Sequence, residues 1–241
     1  MTNLIIFSVQ VYAEKIDCGL IHHMDINVQN NISLGVQGYS TQEERINALS
    51  HGFGLVLALI GLVYLVLKSE STIAIASSAI YGASLMLMFM ASTIYHSVNN
   101  ANIKRIFKLV DHSAIYVLIA GTYTPFLAVS LGGWIGWTAL IVIWLIALFG
   151  VLFKIFAGTQ FPKISVITYL VMGWLAVLLV YPLYQSVAGN GLLLLVAGGL
   201  CFSIGVIFYV KKHIKFTHAA WHFFVIAGCA CHYFSIYYFV I

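Results

Sequence analysis

Charge is scarce in this chain: Asp, Glu, Lys and Arg make up 7% of its 241 residues. A soluble domain carries about 25%. So little charge cannot clothe a water-facing surface, which excludes a soluble globular domain. Acidic residues are the rarest, and Asp111 is the only one after Glu70. The formal net charge of +4 is too small to suggest a nucleic-acid partner. Cysteine is also sparse. Cys18, Cys201, Cys229 and Cys231 match neither a zinc ribbon nor a disulfide framework. They read as small buried apolar residues. No basic residue precedes the short apolar run Leu4–Phe7, so a secretory signal is not expected.

What the chain has in plenty is apolar length, with 62% hydrophobic residues. Seven apolar segments stand out, at about 47–67, 73–97, 107–130, 133–153, 164–186, 191–210 and 217–240. Each is near the roughly 20 residues that cross a bilayer as a helix. The fold class expected is an all-α membrane protein, a seven-transmembrane helix bundle over residues 41–241. Short separators make neighbouring helices antiparallel. Residues 1–40 form a separate, polar and mobile tail, in which His22-His23 reads as a solvated pair and either Met1 or Met24 can serve as the start. Thr41 and Glu44 have the spacing of a capping box, Thr41 as N-cap and Glu44 at the third helical position. Pro125 and Pro182 lie inside spans and should open the helical hydrogen bonding there, with Thr122 and Tyr123 able to satisfy groups that Pro125 frees. Gly132, Gly136, Gly198, Gly199 and Gly205 suit close helix contacts.

Basic residues set the orientation. Every Lys and Arg except Lys68 falls on one side, in the N-terminal region and the second, fourth and sixth loops. That side is cytoplasmic by the positive-inside rule. The N-terminus is then cytoplasmic and the C-terminus outside.

Four polar residues lie at the same depth under that assignment. His96 ends the second span, Asp111 starts the third, and His218 and His222 start the seventh. His218 and His222 are four residues apart, so their rings share one helix face. Two imidazoles there, with His96 from a neighbour, suit one zinc ion. Asp111 is an ionisable group at membrane depth and so a candidate by default; a pair with Lys108, one turn earlier, is the plainer alternative. Ser92 is one turn before His96, on the same face, and can hold a water or a substrate carbonyl, or simply bond its own helix. His51 and His112 are rival ligands. His232 is roughly 21 Å along the axis from His218 and cannot share the metal; it is expected to bond another helix. His213 sits among lysines and is expected in solvent.

The set resembles a known family. Ser92-x3-His96, Asp111 within Lys108–Ser113, and His218-x3-His222 are similar to the motifs of the progestin and adipoQ receptor family. Glu43-Glu44, Asn47 and Ser50-His51-Gly52 resemble its bacterial branch, the haemolysin III-like proteins. The likeness covers residues 41–241. It implies a seven-helix bundle in the bacterial cell membrane, N-terminus inside, with zinc held by the three histidines and Asp111 bound through a water. Adiponectin receptors are linked to ceramide hydrolysis and alkaline ceramidases look related, so the resemblance points to a zinc-dependent hydrolase of lipid amides or esters. In that role Asp111 orients the water and Ser92 helps steady the oxyanion, with membrane lipid as substrate or ligand. A non-enzymatic regulator or receptor-like protein with a structural zinc is the alternative. A haemolytic pore ranks lower, because the spans offer no polar stripe, and a proton relay lower still. The sequence sets no oligomeric state.

Overall fold

A computed structural model describes residues 39–157, 160–211 and 213–241. The expected tail of residues 1–40, with Cys18 and His22-His23, lies almost wholly outside them. Thr41–Ile241 forms one compact unit. Its described residues contain helices and no strand. The helices are α1 (Thr41–Lys68), α2 (Thr72–Ser97), α3 (Ala101–Pro125), α4 (Gly133–Ala157), α5 (Pro162–Trp174), α6 (Val180–Ser186), α7 (Gly189–Tyr209) and α8 (Thr217–Phe239). Together they make seven spans long and apolar enough to cross a membrane. The fifth is α5 and α6 joined by a 3-10 turn over Leu175–Leu179.

The spans match the expected segments closely; the first and third each start six residues early, and for the third the cause is local. The third span begins at Ala101 rather than 107. Asn100 caps it, its side-chain oxygen accepting from the Asn102 and Ile103 amides at 3.0 and 3.2 Å. The polar stretch Asn102–Arg105 is thereby helical, which carries Lys104 towards α1.

The expected capping box does not form. Helix α1 begins at Thr41 itself. Both Glu44 carboxylate oxygens are engaged elsewhere, one by His96 and one by Lys104. A buried imidazole and a lysine hold that carboxylate better than a helix N-terminus would.

Both prolines disturb their helices. After Pro125 the third span runs on to Leu131 as a wide π-helical turn. Pro182 follows the 3-10 turn that breaks the fifth span. Thr122 bonds the Leu118 carbonyl of its own helix. Tyr123 instead serves the fifth span: its hydroxyl accepts from the Ala176 amide at 2.7 Å and faces the Met172 and Gly173 carbonyls at 3.1 and 2.9 Å. Within lipid those backbone groups have no water to turn to.

Gly132 and Gly133 make the tight turn into α4 with φ of 57° and 53°, and nothing lies within 4 Å of where a Cβ would be. Gly132 is therefore a turn residue and not the packing residue expected. Gly136, Gly198 and Gly205 do bring helices close. A Cβ on Gly198 would strike the His232 ring.

Helix α1 packs on α2 and α8; α2 packs on α3, α3 on α4, and α8 on α7. The third span is the most enclosed. Leu49, Phe53, Trp134, Phe149, Phe156 and Leu178 point outwards. That apolar exterior suits hydrocarbon, and would be an aggregation surface in water. The three described cysteines are unbridged thiols.

Candidate metal centre

The start of α8 sets two of the rings. Its first turn follows Phe216, which takes a left-handed conformation at φ 63°. A non-glycine residue resists that geometry. Here the Phe216 amide donates to a Glu43 carboxylate oxygen at 2.8 Å, which ties α8 to the first turn of α1. One turn apart on α8, His218 and His222 present their Nε2 atoms 3.1 Å from each other. His96, the last residue but one of α2, brings its Nε2 to 3.3 Å from that of His218. All three rings are buried.

The far nitrogens explain the arrangement. His96 Nδ1 lies 2.5 Å from a Glu44 carboxylate oxygen. His222 Nδ1 lies 3.2 Å from the Asn47 carbonyl oxygen and 3.0 Å from Ser50 Oγ. Ser50 donates its own proton to the Asn47 carbonyl, so it accepts from the ring. A carboxylate and a carbonyl only accept, which assigns the proton to Nδ1 in both rings. Each Nε2 then turns a lone pair towards the same point. Lone pairs crowded together in a buried site repel unless a cation lies among them. The donor set therefore fits a metal ion. The three ligand atoms lie within 4.8 Å of one another, and His96, His218 and His222 form the metal-competent group among the described residues.

Asp111 is not part of this group, and Ser92 lies one turn before His96 on α2. Asp111 faces the Ser92 side chain, although the Ser92 hydroxyl makes no hydrogen bond of ordinary geometry. Asp111 also lies near Tyr95, Tyr169 and Tyr209. Two of these reach the histidines. Tyr95 is 4.5 Å from the His96 ring and Tyr209 is 6.0 Å from the His218 ring, centroid to centroid. The pair with Lys108 does not form, and among the described residues Asp111 makes no ion pair.

The rivals fall away. His51 is buried and stacks flat on His222, centroids 3.5 Å apart, so it backs a ligand and is not one. His112 is not part of the metal-competent group; its carbonyl accepts from Tyr169 and its Nε2 lies 3.4 Å from the Tyr209 hydroxyl. His232 meets the Leu195 carbonyl on α7 at 3.0 Å, as expected. His213 is exposed. What sequence reasoning missed as site-builders are Glu44, Asn47, Ser50 and the two tyrosines. A signal for the first three exists: with Glu43 and His51 they place polar residues at helical spacing on an otherwise apolar span.

Residues 39–233 match the family described as haemolysin-III related. The chain belongs to the haemolysin III-related family. It is similar to the Hemolysin-3 homolog of Bacillus subtilis, 45% identical over 201 residues, which is 82% of this chain and 94% of that protein. It is 41% identical to Hemolysin-3 of Bacillus cereus over 203 residues, 83% of this chain and 93% of that one. Likeness extends to the human monocyte to macrophage differentiation factor, 30% identical over 200 residues, 80% of this chain and 83% of the human one. The haemolysin III match and the seven apolar spans make the chain a multi-pass integral membrane protein of bacterial type.

Proposed function

We propose that the protein is a zinc-dependent hydrolase of lipid amide or ester bonds, working at the cytoplasmic leaflet. The observation that carries this reading is the donor set: three buried Nε2 atoms facing one point, and two Nδ1 atoms held by acceptors. Neutral imidazoles in that number suit zinc among the divalent metals. Asp111 lies outside the three-histidine group, which supports a fourth position left for water or substrate, as in catalytic sites.

Bound there, zinc would supply a Lewis acid and a water acidified towards neutrality. The chain's own residues would do the rest. His96, His218 and His222 hold and orient the ion. Asp111 accepts the proton as the water attacks, then returns it to the leaving group. Ser92, facing Asp111, donates to the substrate's carbonyl oxygen as charge builds there. Tyr95 and Tyr209 wall the path between Asp111 and the histidines and limit stray water. Basic residues gather on the side where α2 ends and α3 and α8 begin, which supports the cytoplasmic assignment for this end. A lipid entering sideways between helices would bring its headgroup linkage to that depth.

The test uses purified protein with metal quantified. Wild type should carry about one zinc per chain and cleave ceramide or an acyl lipid. His222→Ala should lose both, and Asp111→Asn should keep the zinc and lose the cleavage. Zinc-loaded wild type that cleaves none of these lipids would defeat the hydrolase reading while leaving the metal centre standing.

A further inference from the structure

The feature the proposed function leaves unused is the Glu44 side chain. It belongs to α1, which contributes no ligand, yet it touches two other helices. One carboxylate oxygen meets His96 Nδ1 at 2.5 Å, and the other meets the Lys104 ammonium at 2.7 Å. The His96 side chain is fully enclosed and Glu44 is largely so. Lys104 also lies over the Tyr95 ring, 5.2 Å from its centroid. Tyr95 in turn packs on His96. The carboxylate is thus held in one place from the lysine side and offers its second oxygen to the imidazole.

We propose that Glu44 is a positioning residue for the metal: its carboxylate fixes the His96 tautomer and ring angle, so that Nε2 faces the other two histidines with its lone pair free. The proposal rests on the three-histidine metal reading above. The chemistry is that of a carboxylate behind a metal-bound imidazole, which orients the ring and makes its far nitrogen a stronger donor. His222 has a weaker version, with only a carbonyl and a hydroxyl behind it. The charged acceptor stands behind His96 alone of those two rings, so loss of Glu44 should be felt more than loss of Ser50. Lys104 acts at one remove, through Glu44. Its ion-pair partner is Glu44, and its removal should leave the carboxylate within reach of the ring.

The experiment measures zinc affinity by competition with a chelating dye on full-length protein in detergent. Cobalt(II) absorption is recorded beside it, and melting temperature is taken with zinc and with EDTA. The variants are Glu44→Ala, Glu44→Gln, Lys104→Met and His96→Ala. Glu44→Ala should lose about 10- to 100-fold in zinc affinity and alter the cobalt spectrum, and its melting temperature in EDTA should stay close to wild type. Glu44→Gln keeps an acceptor oxygen without the charge and should fall between Glu44→Ala and wild type. Lys104→Met should bind within about threefold of wild type, since the histidine-facing oxygen remains. Wild-type affinity and spectrum in Glu44→Ala, with binding abolished in His96→Ala, would overturn the positioning role and spare the three-histidine site. So would a melting temperature lowered equally in zinc and EDTA at unchanged affinity, because that marks a purely structural contact. Wild type that binds neither zinc nor cobalt would overturn the metal reading and this inference with it.

Discussion

Removing the metal should loosen a junction that the helices make only thinly for themselves. Helices α2 and α8 each pack on α1 but scarcely on one another. They meet where His96 faces His218, Nε2 to Nε2 at 3.3 Å, and where the Tyr81 hydroxyl donates to the Cys229 carbonyl at 3.3 Å. Without a cation, the His96 and His222 lone pairs converge on His218 Nε2, which can donate its one proton to only one of them at a time. With zinc at about 100 times its dissociation constant, the folded state gains about 2.7 kcal/mol. A chain of this length shifts its melting temperature by about 2–4 °C per kcal/mol, so zinc against EDTA should separate the transitions by about 5–11 °C. The assay is a fluorescence melt of purified protein in detergent at both conditions. His218→Ala, which leaves two ligands on two helices, should melt at one temperature regardless of zinc. Coincident wild-type melts across a zinc titration would refute the convergence of the three nitrogens on an ion.

Other expectations test neighbouring parts of the same structure. Ser50→Ala removes one of two acceptors behind His222 and leaves the Asn47 carbonyl, so zinc affinity by dye competition should fall less than about tenfold. Tyr123→Phe strands the Ala176 amide inside the fifth span, and should lower stability by about 1–2 kcal/mol in a thermal melt, given the modest worth of such bonds in membranes. Gly198→Ala sets a Cβ against the His232 ring and near the Gly228 carbonyl, and should cost about 1–3 kcal/mol by the same assay. Truncating Glu43 removes the acceptor for the Phe216 amide; Glu43→Ala should weaken zinc binding through α8, whereas Glu43→Gln, which keeps an acceptor, should restore most of it.

The spans were legible because apolar length is an additive signal that needs no partner. The span limits agree within a few residues except at the starts of α1 and α3, each six residues early; at α3 Asn100 caps a polar turn that hydropathy cannot see. The two prolines announced breaks in the helices. They did not announce the repair, since Tyr123 reaches across from another span to the backbone at the 3-10 turn of the fifth span. Gly132 misled for a related reason. A glycine that permits a left-handed turn and one that permits close packing look the same in a sequence.

The three histidines that could hold a metal were legible as residue types near the ends of their spans, and two of them by a four-residue spacing on one helix. Their support was not, because it comes almost entirely from α1. Glu43, Glu44, Asn47, Ser50 and His51 lie on the face of α1 that meets both α2 and α8. Glu43 anchors the start of α8, Glu44 backs His96, Asn47 and Ser50 back His222, and His51 stacks on His222. A capping box was a reasonable local reading of Thr41 and Glu44, since a helix N-terminus attracts a carboxylate. It lost to a contact 52 residues away in sequence, between Glu44 and His96. Local spacing ranks only the partners it can see, and an imidazole held in a buried site outranks them. Polar residues that recur at helical spacing on an apolar span carry a cost in lipid. On α1 that cost is offset by the groups they hold in place, so the first helix builds the centre without lending it a ligand.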